Sequence, residues 1–255
     1  MSQVTKIRFG IAAAAALIIS LLAVVVVGEE ASEDEAVETT EHQSITGNLY
    51  EASVFAMPGP EEELAEDEEA ADDEEMDTID EATVRMLSYE DGLFIEVDTE
   101  ELDHNSAYTL WLMTVSEPEA CEERPCSMED VMERSDEVQA DVGYLDGTIA
   151  DEDGSATLGG YQEAGELRQS WFDQGLDNPE HAEVHLIVRD HGPMVQGMAE
   201  TMVNTFRGGC SDASLDEELP ETALEDGEAG PNECQDVQMS FIVQEPMPVA
   251  TSVKQ

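Results

Sequence analysis

The residues best suited to chemistry lie in one stretch, His181–Pro193, which holds three of the five histidines of the chain. Side chains alternate between the two faces of an extended strand, so His181, Glu183 and His185 share one face. Imidazole and carboxylate groups bind zinc and copper, and these three residues together with His191 are candidate metal ligands. Strand positions four residues apart are separated by about 13 Å, so His181 and His185 reach one ion only through a bulge.

The same face has an alternative interpretation without a metal. It is then a polar outer face on which Glu183 or Asp190 pairs with Arg189, while the opposite face supplies the core. The predicted core positions of this strand are Val184, Leu186 and Val188.

The four cysteines indicate two disulfides in an oxidising compartment, because their number is even and they follow an apolar N-terminal run. Three pairings are possible. We favour Cys121–Cys126, which closes a local loop, and Cys210–Cys234, which ties an acidic insert to the last strand. The spacing lacks the two C-x2-C pairs of a zinc ribbon.

The elements that must position these residues are mostly short strands. Alternating runs separated by turn residues predict a mainly β fold, an antiparallel β-sandwich of about seven strands. Tyr89–Gly92 and Ala150–Gly154 are predicted to be hairpin loops, because glycine accepts positive φ. The runs are Thr83–Ser88, Leu93–Asp98, Tyr108–Val115, Val142–Ala150, Ser155–Tyr161, Ala182–Val188 and Gln235–Gln244.

Two helices are expected between the strands. Ser127–Arg134 opens with a good N-cap residue, and a second helix is predicted from Pro193 to the pair Gly208-Gly209. In this second helix Met194, Met198, Met202 and Phe206 recur every four residues. We interpret that stripe as core rather than as copper-binding thioethers. Residues 211–232 form an acidic surface loop.

Residues 1–28 are predicted to be a transmembrane anchor or a cleaved signal peptide. The run Phe9–Val27 is apolar or small apart from Ser20, and its 19 residues span roughly 28 Å as a helix, about the thickness of the hydrocarbon core. Lys6 and Arg8 precede the run, which places the following domain outside the cytoplasm. The small-residue cleavage motif is weak, so we favour the anchor over the cleaved signal peptide.

Charge divides the remaining chain into a linker and a domain. Residues 29–81 contain 22 acidic residues and no Lys or Arg, which predicts a disordered linker. One island in it, residues 45–57, has strand-like composition and is either a detached first strand or a short sticky segment. The domain is predicted at residues 82–245, and residues 246–255 form a C-terminal tail.

The excess of acidic residues excludes some partners and favours one environment. The whole chain has a formal net charge of -53, and residues 82–255 alone carry -33. Nucleic acid is excluded as a partner, because phosphate binding needs Lys and Arg to displace counterions. A domain this acidic repels itself in dilute buffer and is stabilised by high salt, which predicts a halophilic protein.

Catalytic motifs are missing from the sequence. It has no G-x-S-x-G, P-loop, G-x-G-x-x-G or H-E-x-x-H pattern. The sequence therefore favours a non-catalytic binding or structural module. The alternative is a redox or binding domain that holds copper or zinc.

Six segments of the domain carry a resemblance to known proteins: residues 107–111, 119–121, 151–157, 182–193, 205–210 and 234–238. In these segments the domain resembles a group of exported prokaryotic β-rich proteins of uncharacterised function. The resemblance implies export and a β-rich fold but no reaction. A looser resemblance is to the sandwich of copper/zinc superoxide dismutase and chordin-type domains, whose clustered H-x-H ligands this chain lacks.

Overall fold

A single antiparallel sheet organises the protein. The computed structural model describes residues 47–57, 76–216 and 219–244. Within them eight strands follow the order β5-β4-β7-β8-β1-β2-β3-β6, and every pair of neighbours is antiparallel. The strands are β1 (Asn48–Ala56), β2 (Thr78–Tyr89), β3 (Gly92–Thr99), β4 (Ser106–Val115), β5 (Ala140–Ile149), β6 (Ala156–Glu163), β7 (Glu183–Pro193) and β8 (Gln235–Ile242).

The sheet curls until its two edge strands, β5 and β6, approach each other. A side chain bridges the gap, because the carboxylate of Asp146 on β5 accepts the backbone N–H of Gly159 on β6 at 2.9 Å. The turn Ala150–Gly154 joins these strands, and Gly154 N–H donates to the Asp151 carbonyl at 3.1 Å. This turn was predicted to be a hairpin loop, but the strands it joins stand at opposite ends of the hydrogen-bonded order. The sheet is therefore nearly closed, with the turn spanning its gap.

Two apolar cores lie on opposite faces of this sheet. On β2, Val84 and Met86 are buried while Thr83 and Arg85 are exposed. This alternation is expected of a strand with one face exposed to solvent. All ten residues of β4 are buried, because both of its faces are covered. The inner core lies inside the curl, and its members include Val84, Met86, Ile95, Leu110, Leu112, Val184 and Leu186. The outer core covers β4, β5 and β7, and its members include Trp111, Met113, Val131, Val142, Tyr144 and Phe206.

The predicted sandwich needs two corrections. All eight strands belong to one sheet, whereas a sandwich of two sheets with about seven strands was expected. The additional strand, β1, lies inside residues 29–81, which were predicted to be linker. Its register with β2 runs from Asn48↔Ser88 to Phe55↔Thr78, and β2 itself begins before residue 82. The strand falls within the apolar island at residues 45–57, so of the two interpretations of that island the detached first strand is confirmed.

The first predicted helix is confirmed and the second is not. Helix α1 (Met128–Glu133) begins after Ser127, whose side chain accepts the Asp130 N–H in a capping box. It is followed by the short α2 (Ser135–Val138). Instead of a helix from Pro193 to Gly208, β7 continues through Pro193 and only α3 (Ala199–Met202) is helical. Gly197, at φ +88°, cannot belong to an α-helix.

The acidic insert has some regular structure of its own. It contains a 3-10 turn at Asp212–Ser214 and α4 (Glu221–Glu225). Arg207 joins two parts of the insert by donating to the Leu224 carbonyl at 2.9 Å and by pairing with Asp212. The predicted surface loop 211–232 also contributes apolar side chains to the outer core, namely Leu215, Leu219 and Ala223.

The predicted N-terminal anchor at 1–28, most of the linker and the tail 246–255 lie outside the described residues. In the part of the chain that the structure describes, no helix is both long enough and apolar enough to cross a bilayer.

Candidate functional site

Glu183 is the centre of a buried hydrogen-bond cluster. Its carboxylate accepts the backbone N–H of Cys126, the Nε–H of Arg124 at 3.2 Å and a contact from His185 Nε2 at 2.8 Å. Burial alone raises the pKa of Glu183, but the hydrogen bonds from His185, Cys126 and Arg124 outweigh it and hold the pKa below its usual range. The cluster fixes the loop closed by the Cys121–Cys126 disulfide onto β7.

The other predicted metal ligands are separated from one another. His181 is exposed before β7 and its Nδ1 lies 3.1 Å from Asn178 Oδ1. His185 is buried beside Phe241. Among the described residues, no three of His181, Glu183, His185 and His191 bring their ligand atoms within 4.8 Å of one another. The structure therefore does not assemble the predicted four-residue metal set.

His191 lies in a relay of hydrogen bonds. Trp111 Nε1–H donates to Thr109 Oγ1 at 2.9 Å, and Thr109 Oγ1 lies 2.7 Å from His191 Nε2. On the other side of the ring, His191 Nδ1 lies 2.8 Å from the Gly208 carbonyl, so Nδ1 carries the proton. Burial, reinforced by the charge of Arg189, lowers the pKa of His191 to about 4. The imidazole is therefore neutral, with both nitrogens bonded.

One group of possible metal ligands does meet. The ligand atoms of His191, Cys210 and Cys234 lie within 4.8 Å of one another. The two sulfurs, however, form the Cys210–Cys234 disulfide, as the sequence predicted. Metals bind the thiolate, so this group cannot act as a thiolate site while it is oxidised.

A cavity of about 840 Å³ opens on the outer face of the sheet. Its floor is built from β4 and β7, where Trp111 and Ile187 are direct cross-strand partners. One wall is α1, which contributes Met128 and Met132, and the opposite wall is the acidic insert, which contributes Leu219. The volume lies within the range of small-molecule sites, which are mostly apolar with few polar groups.

The aromatic side of the cavity is positioned by a buried carboxylate. Trp171 packs against Trp111 at 5.7 Å and against Phe206 at 4.9 Å between ring centroids. The turn that carries Trp171 folds around Asp141, whose side chain accepts backbone N–H groups of residues 142, 171, 172 and 175 and the Ser170 hydroxyl. Asp141 is fully buried. This turn also covers the free edge of β5, because Trp171 N–H donates to the Val142 carbonyl at 3.0 Å.

Arg189 is the one cation in the described lining of the cavity, and it is only 3% exposed. Its guanidinium stacks on Phe206 with 3.9 Å from Cζ to the ring centroid. Nε–H donates to the Phe206 carbonyl at 3.2 Å, and Nη1–H donates to Asp236 at 2.7 Å. Nη2 is buried and has no acceptor among the described residues. The sequence interpretation paired Arg189 with Glu183 or Asp190, and the structure pairs it with Asp236 instead.

Carboxylates surround the cavity. Glu129 and Glu133, one helical turn apart on α1, are exposed, and Asp216 and Asp236 approach from the insert and β8. The lining therefore combines an apolar floor, a buried guanidinium and four acidic groups. No histidine, lysine or free thiol occurs in it among the described residues.

Sequence reasoning missed this cavity, although one signal pointed to it. Residues 107–115 are apolar or weakly polar at nearly every position, including the face opposite the inner core. A strand of that composition indicates that both faces are covered. The same signal could have marked Trp111 and Ile187 as the floor of a second layer. The contribution of Trp171 carries no local signal, because the turn around Asp141 is held by contacts distant in sequence.

No protein-family model, curated protein or solved structure matches this chain.

Proposed function

We propose that this protein is a non-catalytic binding module that acts outside the cytoplasm and holds a small molecule in the cavity between α1 and the acidic insert. The observation that carries the proposal is the cavity itself, with its aromatic floor and the buried Nη2 of Arg189 that lacks an acceptor. Buried donors without partners are rare in proteins. Among the described residues, Arg189 Nη2 is the one that belongs to a residue lining the cavity, and a ligand acceptor would satisfy it once the side chains that cover it shift.

Two features support an extracytoplasmic location. Both disulfides are of the kind that persists in oxidising compartments. The apolar run Phe9–Val27, with Lys6 and Arg8 before it, has the order of an export segment that stays in the membrane as a single-pass anchor. Mass spectrometry of the native N-terminus tests this: a chain starting near Glu29 would contradict the anchor and keep export, and an unprocessed chain in the cytoplasmic fraction would contradict both.

Binding can be measured through the chain's own fluorophores. The protein has two tryptophans, Trp111 and Trp171, and both line the cavity. We expect the protein, purified with its native envelope, to retain a small molecule that mass spectrometry detects. Adding that molecule back to stripped protein should change the tryptophan emission saturably. If no molecule is retained and an extract of the native surface leaves the emission unchanged, the proposal is wrong.

A matched pair of substitutions locates the binding. Met128 lines the cavity and is 49% exposed, while Ile149 is 44% exposed and lies outside the lining. We expect Met128→Glu to weaken binding at least fivefold, because it brings another carboxylate to the apolar wall. Ile149→Glu should leave binding unchanged. Equal losses in both variants would place the ligand elsewhere.

The second candidate is a copper or zinc protein, which the grouping of His191, Cys210 and Cys234 favours. This function requires the disulfide to be reduced, since cysteine binds the ion as a thiolate and His191 alone would be a single ligand. Elemental analysis before and after reduction tests it. One equivalent of copper or zinc in the reduced protein, lost in a Cys210→Ser variant, would support it, and a metal-free reduced protein would exclude it.

A further inference from the structure

The guanidinium of Arg189 defines what its ligand must offer. Arginine carries five N–H donors, and here Nε and Nη1 are used within the protein while Nη2 is not. Arg189 lines the cavity, but its Nη2 is covered by other side chains, so an acceptor reaches it only when those side chains shift. An acceptor that does so leaves bulk water, because Arg189 is only 3% exposed. Hydrogen bonds between a guanidinium and a carboxylate are roughly twice as strong as neutral ones. A carboxylate is therefore the preferred partner.

The acidic rim of the cavity, formed by Glu129 and Glu133 at its mouth, favours a ligand of the opposite charge, a cation. Asp236 already compensates the charge of Arg189 through a 2.7 Å ion pair. Glu129 and Glu133 add negative charge at the mouth, and the chain as a whole carries -53. A simple anion is repelled by this field, whereas a cation is attracted by it. Trp171, which is partly exposed, offers a ring on which an ammonium group is further stabilised.

The space between these groups is apolar and larger than one amino acid needs. Met113, Met132, Ile187 and Leu219 line it together with the aromatic rings. A ligand that fills a cavity of about 840 Å³ has an apolar body and few polar groups. Methionine side chains are flexible enough to accept bodies of different shape.

We propose that the cavity takes a zwitterion with an apolar body, of the size of a short apolar peptide, whose carboxylate meets Arg189 Nη2 and whose ammonium faces Glu129 and Glu133. This inference rests on the proposed function and names the ligand class of the same cavity. A plain anion leaves the rim unsatisfied, a plain cation leaves Nη2 without an acceptor, and the zwitterion satisfies both.

One dipeptide, with the charge of its N-terminus, its C-terminus or both removed, tests whether the ligand is a zwitterion. The probes are phenylalanyl-leucine in four forms: free, N-acetylated, C-amidated and altered at both ends. All share one body and differ only in the two charges, and none contains tryptophan. Titrations followed by tryptophan emission, at the lowest KCl concentration at which the protein stays folded, should show the free peptide binding most tightly. We expect about a tenfold loss on amidation, which removes the charged acceptor, and a loss of several-fold on acetylation.

Variants of the protein test which residues cause the loss of binding on acetylation and on amidation of the peptide. In the double variant Glu129→Gln, Glu133→Gln the loss on acetylation should shrink, and in the matched control Glu163→Gln, an exposed residue on β6 outside the lining, it should persist. In Arg189→Lys the loss on amidation should shrink. If Arg189→Lys does not fold, the glutamine variants and the four peptide forms still decide the matter.

The outcomes separate this inference from the proposed function. Equal binding of the free and amidated forms, or tighter binding of the acetylated form, would overturn the zwitterion. If all four forms fail to bind while the protein retains another molecule in the cavity, the ligand class is wrong and the binding function stands. If neither the probes nor the native extract alters the emission, both are wrong.

Discussion

The Nε2 atom of His191 lies 2.7 Å from the hydroxyl oxygen of Thr109 on the neighbouring strand, inside a fully buried part of the sheet. Because His191 Nδ1–H donates to the Gly208 carbonyl, Nε2 carries no proton and accepts the Thr109 hydroxyl, which itself accepts the Trp111 indole N–H. If His191 became protonated, Nε2 would turn into a donor and the Thr109 hydroxyl would have to turn its own proton away from the ring. The relay thus connects the protonation of one histidine to the floor of the cavity.

We predict that His191 makes the protein sensitive to acid. Its pKa is 6.5 when unfolded and about 4 when folded. The stability that comes from its neutral form is therefore fully present above pH 6.5 and is lost as the pH falls toward 4. The loss approaches about 3 kcal/mol in the free energy of unfolding. Denaturant unfolding in molar KCl at several pH values measures it.

The matched variant for this prediction is His191→Gln, which cannot titrate. It should be less stable at pH 7 but should lose the slope between pH 6.5 and 4. Burial raises the pKa of Asp190 and Asp226, and these groups act oppositely, adding stability at low pH that is lost as the pH rises through their folded pKa. The same slope in the variant as in the parent chain would contradict the assignment to His191.

The cluster at Glu183 should be needed for stability. Glu183→Gln keeps the shape but replaces one accepting oxygen with a donor. That donor faces either Arg124 or the Cys126 N–H, because each of these binds a different oxygen. We expect the free energy of unfolding to fall by about 2–3 kcal/mol. Glu137→Gln, which removes the carboxylate of an exposed ion pair with Arg134, serves as the control and should change little. Comparable losses in both variants would mean that the buried cluster contributes no more than a surface pair.

Asp141 should control the shape of the cavity. Asp141→Asn puts an amide donor among the N–H groups that now donate to the carboxylate, so the turn carrying Trp171 should loosen. We expect a loss of about 2–4 kcal/mol in the free energy of unfolding. The tryptophan emission should also move to longer wavelength as Trp171 gains water contact. Asp136→Asn, an exposed carboxylate with one contact to Gln174, should do neither.

The two disulfides should stabilise the protein by different amounts. Replacing Cys210 and Cys234 by alanine opens a loop of 24 residues, against 5 for Cys121 and Cys126. The chain-entropy relation gives a loss of about 3 kcal/mol for the longer loop and about 2 kcal/mol for the shorter one. Thermal unfolding of both double variants tests which disulfide contributes more stability. Peptide mapping without reduction tests which cysteines are paired. Free thiols, or links between the two loops, would contradict it.

Salt should stabilise the protein. Residues 82–255 carry -33, and the six arginines among them are already engaged with carboxylates, aromatic rings or backbone oxygens. Few cations therefore remain to compensate the exposed carboxylates, whose repulsion is screened as the Debye length falls to about 3 Å at 1 M salt. We expect the melting temperature to rise steeply from low chloride to molar KCl. A flat response would contradict the halophilic interpretation.

The sequence alone determined the features that depend on neighbours along the chain. Alternating or continuously apolar runs bounded by turn residues located seven of the eight described strands, because a strand alternates where one face is buried and is apolar throughout where both faces are covered. Ser127 located the start of α1, because its side chain caps a backbone N–H three residues ahead. The even number of cysteines and the short separations within each favoured pair led to the observed disulfides.

Only the tertiary structure decided which strands are neighbours and what covers them. Strand β1 pairs with β2 across the intervening acidic segment, and the turn Ala150–Gly154 joins the two ends of the sheet instead of closing a hairpin. The cavity depends on the same long-range order, because its floor, its α1 wall and the Trp171 turn come from separate parts of the chain. Local patterns record which face of a strand is buried. They do not record its partner, since that choice is made by the packing of residues far apart in sequence.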